Sequence, residues 1–174
     1  MSPALLLVFR ALHIVTGAFW VGALFLVLLV LMPSIRGAGA AGPAVMEQLT
    51  EVRKIHLYMM WLPIVSVLSG LALMWNDSAG THGVWMQSGP GRAFSVGALF
   101  AILTMGVGMS VNSPTGRKLG ALSKVMRAQG SPPKPEQLAE IARLQGRMDG
   151  ALKISAVFLL IAVLAMSVAR YIPS

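Results

Sequence analysis

Long apolar segments alternate with shorter polar ones along the chain. Three of the apolar segments contain no Asp, Glu, Lys or Arg, and a fourth is shorter: 14–35, 57–76, 93–116 and 154–169. An α-helix needs roughly 20 predominantly apolar residues to cross the hydrocarbon core of a bilayer. The pattern therefore predicts an all-α fold, an integral membrane four-helix bundle, with spans at about 5–32, 56–75, 93–112 and 150–171.

The polar segments between these spans are two long connections and one loop: 33–55, 113–149 and 76–92. In the first connection, Val45, Leu49 and Val52 recur at helical spacing. The second contains "PEQLAEIARLQGRMDG", in which the acidic residues come early and the basic ones late, as the helix dipole favours. We therefore expect cytoplasmic helical extensions before spans two and four. Each should run into its span without a break, and residues 1–174 should form a single transmembrane domain.

The composition supports a membrane protein. Hydrophobic residues make up 56% of the chain and charged residues only 11%, whereas soluble domains average about 25% charged residues. The lipid bilayer is therefore the expected partner. The chain has no cysteine, which excludes disulfides, thiolate metal sites and covalently attached c-type haem.

The net charge of +8 follows the predicted topology rather than a nucleic-acid surface, because no basic stripe is interleaved with aromatic residues. Ten of the 14 Lys and Arg residues fall in the two long connections: Arg36, Arg53, Lys54, Arg117, Lys118, Lys124, Arg127, Lys134, Arg143 and Arg147. The positive-inside rule places these connections in the cytoplasm and both termini in the periplasm of a bacterial inner membrane. Arg10, Arg92 and Arg170 lie on the opposite side, and the N-terminal Arg10 favours the opposite orientation.

Arg10, His13, Gly17 and Trp20 share one face of the first predicted span. An ionisable residue within a span is a functional-site hypothesis by default. The His13 imidazole could ligate a metal, Gly17 leaves room for a porphyrin ring, and Arg10 could pair with a propionate. These four residues are the predicted cofactor site, with haem b as the cofactor and His13 as the metal ligand.

A purely structural interpretation of the same face stays open. His13 could hydrogen-bond a neighbouring helix while Arg10 extends its charged group toward the membrane surface. Small residues within the spans, Gly17, Ser66 and Gly70 among them, are expected to let helices approach one another closely.

Other candidate ligands are less well placed. His56 opens span two at the opposite side of the membrane from His13, so we expect about 20 Å between them along the membrane normal. Two axial ligands of one iron lie only about 4 Å apart. His82 belongs to the outer loop, and Met105 and Met109, one turn apart, offer Cu(I) ligands or ordinary packing. No catalytic pair of side chains is visible, so we do not expect catalysis by side chains alone.

The segment "LHIVTGAFWVGALFLVLLVLMP" resembles the first span of copper-resistance protein D-like (CopD-like) membrane proteins. "RKIHLYMMWLPIVSVLSGLALMW" and "GPGRAFSVGALFAIL" are similar to two later spans of that family, and the HemJ-type protoporphyrinogen oxidases resemble it distantly. The HemJ-type resemblance implies b-type haem with His13 as an axial ligand, and the CopD-like one implies copper uptake. HemJ-type proteins also use a lysine within a span, whereas Lys153 lies near the start of span four here.

Three functions follow as hypotheses. The first is a haem-binding membrane protein for electron transfer or tetrapyrrole handling. The second is a non-catalytic accessory subunit of a larger membrane protein complex, whose partners would be other membrane subunits. The third is a copper-handling membrane protein.

Overall fold

A computed structural model describes residues 1–173, without the side chain of Ala40. Five helices account for nearly all of the described chain, which contains no strand: α1 (Pro3–Gly37), α2 (Gly42–Glu47, continued by a π-helical turn at Gln48–Val52), α3 (Ile55–Ala79), α4 (Gly89–Ala128) and α5 (Pro135–Tyr171). The predicted all-α class is confirmed. Helices α1, α3, α4 and α5 are long and apolar enough to cross a membrane, as expected of a multi-pass membrane protein.

Helices α1 and α4 each contain a π-helical turn just before a proline. The turns are Val27–Leu31 and Gly108–Asn112, and Pro33 and Pro114 follow them by two residues. A proline inside a helix lacks the N–H for one backbone bond and clashes with the carbonyl four residues earlier. A wider turn accommodates that loss locally. Both helices therefore continue through their prolines as single long elements.

The expected continuity of the two extensions holds for one and fails for the other. Helix α5 is unbroken from Pro135 to Val168. Before α3, in contrast, the π-helical turn ends at Val52 and Lys54 adopts the left-handed conformation, with a φ of 53°. The prediction of an extension that runs into span two without a break is therefore wrong. A residue in the left-handed conformation interrupts the helix, and a new helix begins at Ile55.

The helices pack mainly as two antiparallel pairs, α1 with α3 and α4 with α5. Side chains from α1, α3 and α5 join the pairs in one buried cluster: Trp20, Leu24, Val67, Leu152, Ala156 and Leu159. Within the second pair, Gly97 allows a close approach, since a Cβ there would lie 2.6 Å from Met166 Cγ and 3.2 Å from the Ala162 carbonyl oxygen.

Ion pairs connect the helices at the end of the bundle that carries the two long connections. Glu47 and Glu51 of α2 pair with Arg127 and Lys124 of α4, and the Lys124–Glu51 distance is 2.9 Å. The hydrogen bond from Lys124 lowers the pKa of the Glu51 carboxyl below its ordinary value. These contacts hold the short helix α2 against the polar end of α4.

Candidate functional site

The His13 side chain lies between α1 and α3. Its Nδ1 is 2.8 Å from the backbone carbonyl oxygen of Ser66, and the ring is partly buried. A carbonyl oxygen only accepts hydrogen bonds, so this contact requires the proton on Nδ1. In the neutral imidazole, Nε2 is then the unprotonated nitrogen with a free lone pair. No hydrogen bond from Nε2 to another residue is found between residues 1 and 173.

Gly70 provides the space for the His13 ring. A Cβ at Gly70 would lie 2.7 Å from His13 Cε1 and 2.8 Å from Nδ1, but 3.6 Å from Nε2. Any side chain at this position would displace the imidazole. The carbon–nitrogen edge of the ring thus packs against the bare backbone of α3, and Nε2 is the nitrogen farther from it.

The Ser66 carbonyl also accepts a second hydrogen bond, from the Ser69 hydroxyl at 3.1 Å. The Ser69 hydroxyl has a single proton, which it shares between this acceptor and the closer Val65 carbonyl at 2.6 Å. Both serines are buried, with 4% and 3% of their surface exposed. The oxygen that orients His13 is therefore held in a dry, fully packed part of α3.

Of the other three predicted site residues, only Gly17 lies beside Ser66, and Arg10 and Trp20 take no part in the His13 contact. Arg10 is exposed and forms no ion pair with any described residue. Gly17 faces α3, where a Cβ would lie 3.2 Å from Ser66 Oγ, so Ser66 lies in the space beside Gly17 where we had expected a porphyrin ring. Trp20 is 6% exposed and belongs to the central buried cluster.

The remaining histidines lie far from His13. His56 is exposed and sits ten residues before Ser66 on α3, a rise of about 15 Å. His82 is exposed in the loop after α3, with a φ of 50°. Within the described chain, no group of three or more His, Cys, Asp or Glu residues could hold a metal ion. A second imidazole for the same iron is therefore not supplied by this part of the chain.

Ser66 and Gly70 were predicted only as packing residues, although they make the contacts that define the site. Spans one and two run antiparallel, so residues equally far from their predicted outer ends, at about 5 and 75, lie at the same depth. That depth is the signal that would have paired residues 66–70 with His13.

Two surface grooves accompany this site, and His13 lines neither of them. One, of about 570 Å³, runs along α3 beside α1 and is lined by apolar and aromatic side chains, with Arg53 and Lys54 at one end. The other, of about 540 Å³, lies between the start of α4 and the end of α5 and includes Arg92.

The sequence matches no protein-family model, no curated protein and no solved structure. The resemblance to CopD-like and HemJ-type proteins therefore stays a prediction.

Proposed function

We propose that the protein binds haem b through His13 Nε2 and serves electron transfer or tetrapyrrole handling at the membrane. The observation that carries the proposal is the hydrogen bond from His13 Nδ1 to the Ser66 carbonyl. Metal-ligating histidines almost always donate their other ring nitrogen to a carbonyl or carboxylate, which fixes the tautomer and the orientation of the ring. A bound haem would supply one-electron chemistry, tuned by its axial ligand and its surroundings.

The residues around His13 would have different roles in holding a haem. Ser66 and Gly70 hold the imidazole in one orientation, which leaves only Nε2 for ligation. Arg10 lies one helical turn from His13 and is exposed, so its guanidinium is available to an anionic substituent. Gly17 and Trp20 contribute by packing α1 against its neighbours.

The described chain offers one imidazole at this depth, so the proposal specifies a single protein ligand per chain. The grooves of the bundle do not include His13. A haem held by His13 would therefore be bound outside both grooves.

Absorption spectroscopy of the purified protein tests this proposal. We expect a Soret band and a pyridine haemochrome of b type in the wild-type protein, and their loss in His13→Ala. His56→Ala and His82→Ala are matched controls, because they remove an exposed imidazole elsewhere, and they should keep the spectrum. A colourless wild-type protein expressed with ample haem supply would reject the proposal, as would a Soret band that survives His13→Ala.

An accessory subunit of a membrane complex is the second candidate function. It is favoured because the chain itself buries little of the surface of two helices. Only 11% of the most apolar windows of α1 and α4 is buried, compared with 33% for α5. These faces are available to other subunits as well as to lipid. A colourless protein that purifies with stoichiometric membrane partners would favour this function, and stoichiometric copper would favour copper handling.

A further inference from the structure

The groove of about 570 Å³ beside α3 is amphipathic along its length. Arg53 and Lys54 line one end, and Thr16 and Val65 line the other. Thr16 belongs at that level because its neighbour Gly17 packs against Ser66. Tyr58 and Trp61 lie between the two ends and are 63% and 57% exposed. The volume falls within the range of about 300–1,000 Å³ that is typical of small-ligand sites.

The dimensions of the groove match one lipid chain. From Lys54 to Val65 the helix rises about 16 Å. One leaflet of the hydrocarbon core is about 15 Å thick, half of the roughly 30 Å of a bilayer. A groove that follows the axis of a membrane-crossing helix also lies parallel to lipid chains. Exposed Tyr58, one helical turn after Lys54, suits the boundary between head groups and hydrocarbon.

The charge at the end of the groove selects the head group. Arg53 and Lys54 form no ion pair with residues 1–173, whereas the nearby carboxylate of Glu51 is already engaged by Lys124. Lys54 is held at this place by its left-handed backbone, which ends one helix and begins the next. Two cations without an ion pair among residues 1–173 attract an anionic head group at a membrane boundary, even though the Glu51 carboxylate offsets part of the Lys54 charge.

We propose that this groove is a binding site for one anionic phospholipid. Its phosphate lies between Arg53 and Lys54, and one acyl chain follows α3 past Tyr58 and Trp61 toward Thr16. The positive-inside orientation places the site in the cytoplasmic leaflet, where anionic lipids give a negative surface potential. His13 does not line this groove, so the proposal does not rest on haem binding.

Native mass spectrometry of the full chain in detergent tests the proposal. Phosphatidylglycerol and phosphatidylcholine of equal chain length are the probes. We expect one tightly retained phosphatidylglycerol per chain, and a loss of affinity of about 30-fold in Arg53→Gln/Lys54→Gln. Arg117→Gln/Lys118→Gln removes the same charge from adjacent exposed positions outside the groove and should leave binding unchanged. Arg53→Lys/Lys54→Arg should also bind normally.

A variant that keeps both cations separates chain binding from charge. Val65→Phe narrows the acyl end of the groove and should weaken phosphatidylglycerol binding, and soluble glycerol 3-phosphate should not compete in the wild-type protein. Equal weakening by both double Gln variants would mean diffuse attraction and would overturn the proposal. A preference for phosphatidylglycerol over phosphatidylcholine that survives Arg53→Gln/Lys54→Gln would also overturn the proposal. If the wild-type protein is a dimer in detergent and Arg53→Gln/Lys54→Gln dissociates it, the groove binds a second copy of the chain instead of a lipid.

Discussion

At the scale of single residues, the contact between His13 and Ser66 has two consequences of different size. Hydrogen bonds between helices in membranes contribute only about 0.6 kcal/mol on average, so the contact is a weak link between α1 and α3. Its effect on the ring is larger, because a proton fixed on Nδ1 leaves Nε2 as the only possible ligand atom. The contact with Ser66 thus matters more for the orientation of the His13 imidazole than for the stability of the bundle.

Gly70→Ala should displace the imidazole and destabilise the bundle. The new Cβ would lie 2.7 Å from His13 Cε1, and overpacking of this kind costs about 1–3 kcal/mol. Alanine also favours the helix by up to about 1 kcal/mol relative to glycine, which offsets part of the loss. We expect a lower midpoint of thermal unfolding in detergent, together with reduced haem content.

Gly106→Ala is the matched control, because a Cβ at Gly106 meets no atom within 4 Å. This variant should be as stable as the wild type or slightly more stable, with unchanged haem content. If both variants behave alike, the His13 ring does not occupy the space at Gly70, and the orientation argument is contradicted.

The sequence predicted the face on which His13 lies but not its partner atom. Helical periodicity gives the angular position of a side chain, whereas the partner depends on the depth and rotation of the neighbouring helix. A backbone carbonyl has no signature in the sequence, so Ser66 was recognised only as a small residue. The expectation that Gly17 leaves room for a porphyrin ring was wrong for the same reason. The sequence does not show which neighbouring side chain fills the space beside a glycine, and here it is Ser66.

At the scale of elements, the short helix α2 is positioned by exposed charge pairs rather than by a core. The side chains of the Lys124–Glu51 pair are 65% and 48% exposed. Such pairs contribute little and are screened by salt. The docking of α2 on α4 should therefore respond to pH and ionic strength more than the apolar part of the bundle does.

Acid should loosen α2 from α4. The pKa of Glu51 is lowered in the folded chain from its ordinary value of 4.5, mainly by the hydrogen bond from Lys124. The stabilisation is therefore fully present above pH 4.5 and is lost as the pH falls through the lower folded value. We expect a broader distance distribution between spin labels at Val45→Cys and Ala121→Cys once the pH falls below that folded value, compared with pH 6.5.

Because the chain has no cysteine, the two labels can be placed without removing native residues. Glu51→Gln should show the broader distribution already at pH 6.5 and should respond less to acid. A distribution that is identical at both pH values in the wild-type background would mean that the Glu51 pair does not hold α2.

Helix existence was predictable because four apolar segments of membrane length leave few alternatives. The break at Lys54 was not, since neither Arg53 nor Lys54 is a usual helix breaker and a lysine at positive φ contradicts its local preference. The continuation of α1 and α4 through Pro33 and Pro114 was also missed, because a π-helical turn can absorb a proline that ordinarily ends a helix.

At the scale of the whole molecule, the four long helices differ in how much of their surface the chain itself covers. Helix α5 is the most buried and contributes half of the central cluster, whereas α1 and α4 remain largely uncovered. Large apolar side chains are exposed along both, among them Leu7, Phe19 and Leu99. These surfaces are stable only against lipid or another protein, which is why the proposed lipid site lies at the edge of the bundle.

The orientation of the molecule in the membrane decides which leaflet each site faces. Single cysteines at His82, between α3 and α4, and at Ser131, between α4 and α5, report the two sides independently. In bacterial spheroplasts, a membrane-impermeant maleimide should label His82→Cys directly and Ser131→Cys only after the membrane is disrupted. We expect this result because an excess of Lys and Arg keeps a short connection in the cytoplasm, and acidic residues in the same connection have little effect. Labelling of Ser131→Cys in intact spheroplasts would reverse the topology, and Arg53 and Lys54 would then face the outer leaflet.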